Sequence, residues 1–255
     1  MLRLPRQAAT LLLAALALVP VVSAQELPDT IERIKPAIVG VGTYQATRRP
    51  PSQLLGTGFV VLEGRHVVTA DHVLPTVLDE ENREQLAIFF RRGERLEWRP
   101  ATLRRSDSEH DIAVLAIDGR PLPALQIGDS DSVREGEGYA FTGFPIGAVL
   151  GLYPVTHRGI VSAITPIITP ANRGRELDAE AIRRLRSPFR VFQLDATAYP
   201  GNSGSPVYDT ETGEVVGLLN SVFVKGSKER VLEDPSGISY AVPAQYIRAL
   251  LDGIR

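Results

Sequence analysis

Cysteine is absent from all 255 residues of this chain. That excludes disulfides, thiolate metal centres and a thiol nucleophile, so the fold has to hold together by its apolar core. An excess of either charge is also absent, with 28 Lys+Arg facing 30 Asp+Glu. Arginine far outnumbers lysine, but the arginines are dispersed among acidic residues. Such a surface is solvated, and no nucleic-acid partner is expected. After residue 24 no apolar run is long enough to cross a bilayer. No pair of histidines with carboxylates has metal-ligand spacing, so neither a metal nor any other cofactor is expected. What the chain does have is 44% hydrophobic residues, ample for a core and inconsistent with disorder over most of its length.

The first 24 residues stand apart. Arg3 and Arg6 precede an apolar run from Leu11 to Val22, which ends in the small residues Ser23 and Ala24. This is the layout of a secretory signal peptide cleaved after Ala24, and it predicts export to a bacterial periplasm or the medium. The alternative is an uncleaved anchor, but the run is 12 residues and contains Pro20, against the roughly 20 a span needs. No stable membrane span is expected once the segment is removed.

Residues 25–255 read as one domain. A short helix is expected from Pro28 to Lys35, stopped by Pro36. Short apolar runs then alternate with turn residues: Ile38 to Tyr44, Gly56 to Leu62, His66 to Thr69, Gln85 to Phe90, Ala101 to Arg104 and Ile112 to Ile117. Pro121-Leu122-Pro123 makes a break. A second series follows: Gly138 to Thr142, Pro154 to Ile164, Val191 to Asp195, Ser205 to Tyr208, Val215 to Val222 and Ile238 to Ala241. Many short strands with frequent turn signals predict an all-β architecture. Two antiparallel barrels, over about 37–120 and 124–242, account for the length and the break; one large sandwich is the alternative. Residues 170–188 form a polar, charged insertion, read either as surface or as a gating loop. Tyr246, Ile247, Leu250 and Leu251 recur at helical spacing, predicting a C-terminal helix over 243–252.

Three stretches carry chemistry. In Gly201-Asn202-Ser203-Gly204 a serine sits in a turn where glycines permit tight backbone geometry. Such a turn can expose a hydroxyl and aim N–H groups at one point, as stabilising an oxyanion requires. His72 follows the strand His66–Thr69, and Asp111 directly precedes the strand Ile112–Ile117. Taken singly, these are an ordinary structural histidine and a strand-edge aspartate. Together they supply the three roles of acyl transfer. A serine hydroxyl needs a base, imidazole titrates near neutrality, and a carboxylate fixes the imidazole tautomer. His110 is expected on the surface, and His66 and His157 in ordinary strand contexts.

Thr57-Gly58-Phe59-Val60, Val68-Thr69-Ala70-Asp71-His72-Val73, Asp111-Ile112-Ala113-Val114-Leu115 and Gly201-Asn202-Ser203-Gly204-Ser205-Pro206 together resemble chymotrypsin-fold serine endopeptidases. The likeness is closest to the bacterial HtrA/Deg-like branch and runs from about residue 30 to 252. It implies two packed six-stranded antiparallel β-barrels, with a Ser-His-Asp triad of His72, Asp111 and Ser203 in the cleft between them. It also implies an oxyanion hole at Gly201, Asn202 and Ser203, formed by the N–H groups of Gly201 and Ser203, and a polypeptide substrate. No PDZ domain follows, and the N-terminal segment that supports trimers in many relatives is short, so the oligomeric state stays open.

In this fold the substrate pocket would be walled by Thr197, Ala198, Leu219, Asn220 and Ser221. No carboxylate stands where Lys or Arg recognition would need one; Thr197 occupies that place, six positions before Ser203. Leu219 replaces the strand histidine of glutamyl endopeptidases. The expectation is cleavage after small or medium apolar residues in unfolded or flexible polypeptides. Two other readings compete: a protease-like binding or scaffold protein without turnover, and a serine hydrolase of another fold. Against the latter, the chain lacks a Gly-x-Ser-x-Gly elbow between strand and helix.

Overall fold

The computed structural model describes residues 27–145, 152–166, 189–220 and 237–254. The expected signal peptide, the insertion at 170–188 and pocket residue Ser221 lie outside the described residues. Helix α1 (Leu27–Ile34) leads through a 3-10 turn containing Pro36 into the first strand. Strands β1 (Ile38–Tyr44), β2 (Ser52–Val61), β3 (His66–Thr69), β4 (Gln85–Arg92), β5 (Arg95–Asp107) and β6 (Ile112–Ile117) follow. They close a barrel in the order β1-β2-β3-β6-β5-β4, every pairing antiparallel.

The second barrel comprises β7 (Gly138–Gly143), β8 (Val155–Pro166), β9 (Arg190–Asp195), β10 (Pro206–Asp209), β11 (Val215–Asn220) and β12 (Ile238–Pro243). It closes in the order β10-β11-β12-β9-β8-β7, again antiparallel throughout. The double-barrel expectation therefore holds and the single sandwich does not. Helix α2 (Ala244–Asp252) ends the described chain and buries Ala244, Ile247, Leu250 and Leu251. No helix among the described residues is long and apolar enough to cross a membrane.

Two strands, β5 and β2, outrun their apolar runs furthest. β5 extends over 13 residues with nearly all of them exposed or half-buried, so hydrophobic patterning marks only its middle. Its length comes from backbone pairing with β4, Ala87 opposite Pro100 through Arg92 opposite Arg95. β2 likewise begins at Ser52, opposite Tyr44, rather than at Gly56. One apolar cluster runs through both barrels, joining Val39, Phe59 and Leu115 of the first to Tyr208, Val215 and Leu218 of the second and to Ile247 of α2. A smaller cluster inside the second barrel contains Phe141, Phe192, Ala198, Leu219 and Ala241.

Candidate active site

His72 lies in a single 3-10 turn, Asp71–Val73, directly after β3, and Asp111 immediately precedes β6. Because β3 and β6 are paired, with Thr69 opposite Ala113, the sheet brings the two residues to the same end of the barrel. His72 Nδ1 stands 2.6 Å from Asp111 Oδ2, and the His72 backbone N–H donates to Asp111 Oδ1 at 2.8 Å. Asp111 has φ +56°, a conformation uncommon outside glycine. Its carbonyl accepts from Asp71 N–H at 3.2 Å, so both ends of the residue are tied to the histidine turn.

Asn220, the last residue of β11, is fully buried and donates its side-chain N–H to Asp111 Oδ2. Besides the place in the pocket wall expected for it, Asn220 joins the second barrel to the carboxylate of the first through its amide. Its neighbour Leu219 exchanges backbone bonds with the serine turn, accepting from Gly204 N–H at 2.9 Å and donating to Ser205 O at 2.8 Å. One strand end thus touches both Asp111 and the segment around Ser203.

That segment is two linked turns. Tyr199-Pro200-Gly201-Asn202 is closed by Asn202 N–H to Tyr199 O at 3.0 Å, and Gly201 has φ +97°. Proline second and a positive-φ glycine third define a type II turn. Asn202-Ser203-Gly204-Ser205 is closed by Ser205 N–H to Asn202 O at 3.0 Å, with Gly204 at φ +88°. Asn202 therefore spends its N–H inside the first turn; the donors expected from the resemblance are the N–H groups of Gly201 and Ser203, with Asn202 between them. Its side chain is fully buried with both amide ends unpaired, as is the Ser205 hydroxyl.

Thr57, in β2 of the first barrel, stitches these turns down. Its N–H donates to Ser203 O at 2.9 Å and its hydroxyl to Gly201 O at 2.7 Å. The same hydroxyl accepts from Phe144 N–H at 3.0 Å, while Thr57 O accepts from the Thr69 hydroxyl at 2.7 Å. A Cβ on Gly204 would meet Thr57 O at 2.0 Å, which is why only glycine fits there. A Cβ on Gly56 would come within 2.7 Å of Val73 and 3.0 Å of Ser203 O, so the histidine turn and the serine turn flank the same glycine. Sequence reasoning quoted Thr57 within a motif without giving it a role. That role leaves no local sequence signal, because its partner Gly201 is 144 residues away.

Of the remaining predicted pocket residues, Ala198 is buried, Thr197 half-buried and Leu219 fully buried. His110 corrects the expectation of surface placement. Its side chain is 17% exposed, and its Nδ1 stands 2.7 Å from Asp107 Oδ2. Its ring stacks on Tyr246 of α2 at 3.9 Å and meets the edge of Phe189 at 4.6 Å. A histidine beside a strand start looks solvent-facing until a helix from the other end of the chain covers it.

Asp71 adds a second carboxylate beside His72 and Asp111. Partial burial, then the nearby Asp111 charge, raise its pKa above the usual 3.8, against lowering by a Ser108 hydrogen bond and by His72. Burial lowers the pKa of His157, which lies on β8 in the second barrel.

The family model described as trypsin-like peptidase domain matches residues 56–218. Among curated relatives, a probable periplasmic serine endoprotease DegP-like of Halomonas elongata is 28% identical over 239 residues, covering 91% of this chain and 42% of that protein. The protein of the same name from Pseudomonas savastanoi pv. phaseolicola is 33% identical over 202 residues, covering 79% of this chain and 35% of its own length. This chain therefore spans less than half the length of either. A solved structure of the HtrA-type protease AlgW with a tripeptide superposes with a TM-score of 0.63 at 26% identity, covering 89% of this chain and 63% of that one.

Proposed function

This chain belongs to the trypsin-like peptidase family, and we propose that it is an exported, periplasmic serine endopeptidase working through His72, Asp111 and Ser203. Ser203 Oγ attacks the scissile carbonyl while His72 Nε2 takes its proton. Asp111 holds the Nδ1 proton and stabilises the imidazolium. The amine leaves with the proton that His72 returns, and water then resolves the acyl-enzyme by the same route. The N–H groups of Gly201 and Ser203 receive the developing oxyanion; losing one such donor costs about 100- to 1,000-fold in rate. The substrate is unfolded or flexible polypeptide, cut after small or medium apolar residues, with Thr197, Ala198, Leu219 and Asn220 around the pocket.

The observation that carries this reading is the pairing of His72 Nδ1 with Asp111 Oδ2 at 2.6 Å, which leaves Nε2 as the ring nitrogen for the serine. The type II turn at Gly201 favours a working enzyme over an inert scaffold. A type I turn would rotate the central peptide and put the Pro200 carbonyl where the Gly201 N–H belongs. The periplasmic names of the two relatives support the address.

Incubation with a denatured protein mixture, followed by mapping of new termini, tests the proposal. Cleavage that disappears in Ser203→Ala is expected; identical termini with both proteins would contradict it.

A further inference from the structure

His157 is the one histidine of the second barrel, and its surroundings are unusual for an imidazole. It lies opposite Phe141 across the β7–β8 pair, and the two rings stack at 4.9 Å with their planes 19° apart. On its other side the Tyr199 ring is 6.0 Å away, tilted by 40°. Phe141 belongs to the apolar cluster that also holds Ala198 and Leu219. Within this setting His157 Nε2 is buried and has no hydrogen-bond partner. Leaving a buried polar atom unpaired costs about 1–3 kcal/mol, and such an atom in a folded protein calls for a reason.

Position supplies the reason. Tyr199 opens the turn that ends at Ser203, and its carbonyl closes that turn by accepting from Asn202. Ala198 and Leu219 flank the turn on either side, Leu219 through its bonds to Gly204 and Ser205. Through the Tyr199 ring on one side and Phe141 on the other, the buried nitrogen is tied to the segment that leads into Ser203. We propose that His157 is a specificity determinant, reading through Nε2 a substrate side chain with an uncharged hydrogen-bonding tip, an amide or a hydroxyl.

The inference rests on the peptidase reading above and replaces "apolar" in the expected preference by "uncharged polar". Burial holds the imidazole pKa below its usual value, so the ring is neutral at working pH. A neutral ring nitrogen donates or accepts a single bond according to tautomer. Amides and hydroxyls meet either form, whereas a carboxylate needs a donor and prefers the charged ring. The Phe141 ring packs nearly parallel against one face of the imidazole.

The test uses a peptide cut by the enzyme in the denatured-protein digest. It is resynthesised with Asn, Leu, Thr or Val before the scissile bond, giving two nearly isosteric polar–apolar pairs. In at least one pair the wild-type enzyme should favour the polar member in kcat/KM by about tenfold or more, since a site built to hydrogen-bond a substrate rejects the analogue lacking the group. His157→Leu should erase or reverse that ratio, and His157→Gln, which keeps a hydrogen-bonding tip, should retain it. An apolar preference in the wild-type enzyme, or a polar preference that survives His157→Leu, overturns the role of His157 alone. If none of the four peptides is cut faster by the wild-type enzyme than by Ser203→Ala, the peptidase reading itself fails.

Discussion

Asp111 adopts a backbone conformation few aspartates hold, φ +56°, and is kept there by Asp71 N–H, His72 and Asn220 together. Strain of this kind persists where surrounding contacts over-determine it. Asp111→Asn should keep the fold and lower kcat by about 10⁴-fold, because an amide no longer selects the Nδ1-protonated tautomer; steady-state kinetics on a mapped cleavage peptide would check it. Asp71 makes a separate, pH-dependent prediction. Its folded pKa is raised above 3.8, chiefly by burial. A raised carboxylate pKa contributes stability below the unfolded value and loses it as pH rises through the folded value. At neutral pH the ionised group is therefore a liability, reduced by its partial exposure. Asp71→Asn should raise the denaturant midpoint at pH 7, and the gap from wild type should narrow as pH falls toward 4. His72, Asp111 and Ser203 stand out as candidates in the sequence because each sits in a short motif of fixed local character. The partners of Asn220 and His110 were not legible, since they come from the other barrel and from the far end of the chain.

At the scale of elements, the nucleophile segment is two type II–like turns in tandem, each with its glycine third and each closed by a 3.0 Å bond. The glycines were readable as turn residues; the need for Gly204 was not, because it arises from Thr57 O in β2. A Cβ there would stand 2.0 Å from that backbone oxygen and 2.6 Å from the Thr69 hydroxyl. Gly204→Ala should therefore lower the melting temperature by displacing β2 or the turn, and should reduce kcat more than it changes KM. A mutant with wild-type kinetics would contradict the close approach of the two elements. Strand existence was legible from apolar alternation, and β1, β3 and β6 begin and end where it does. β5 was legible only in part: its exposed polar residues are held by cross-strand backbone bonds, which leave no hydrophobic trace.

For the whole molecule, the two barrels share one apolar cluster and one set of polar ties through Thr57 and Asn220. A shared core predicts a single unfolding transition, with far-ultraviolet and near-ultraviolet circular dichroism losing signal together; two separated transitions would mean that the barrels are stable independently. The double barrel was legible from strand count, turn spacing and the break at Pro121. The ties from Asn220 to Asp111 and from Thr57 to the serine turn depend on barrel docking, which no local pattern encodes. The claim on which the account turns is that this docking makes Ser203 a nucleophile. The most direct measurement is labelling of the native protein with a fluorophosphonate, read by peptide mass spectrometry. The account predicts one adduct, on Ser203, lost in His72→Ala and on denaturation. A native protein that stays unlabelled, or labelling at Ser203 that survives removal of the imidazole unchanged, would contradict it.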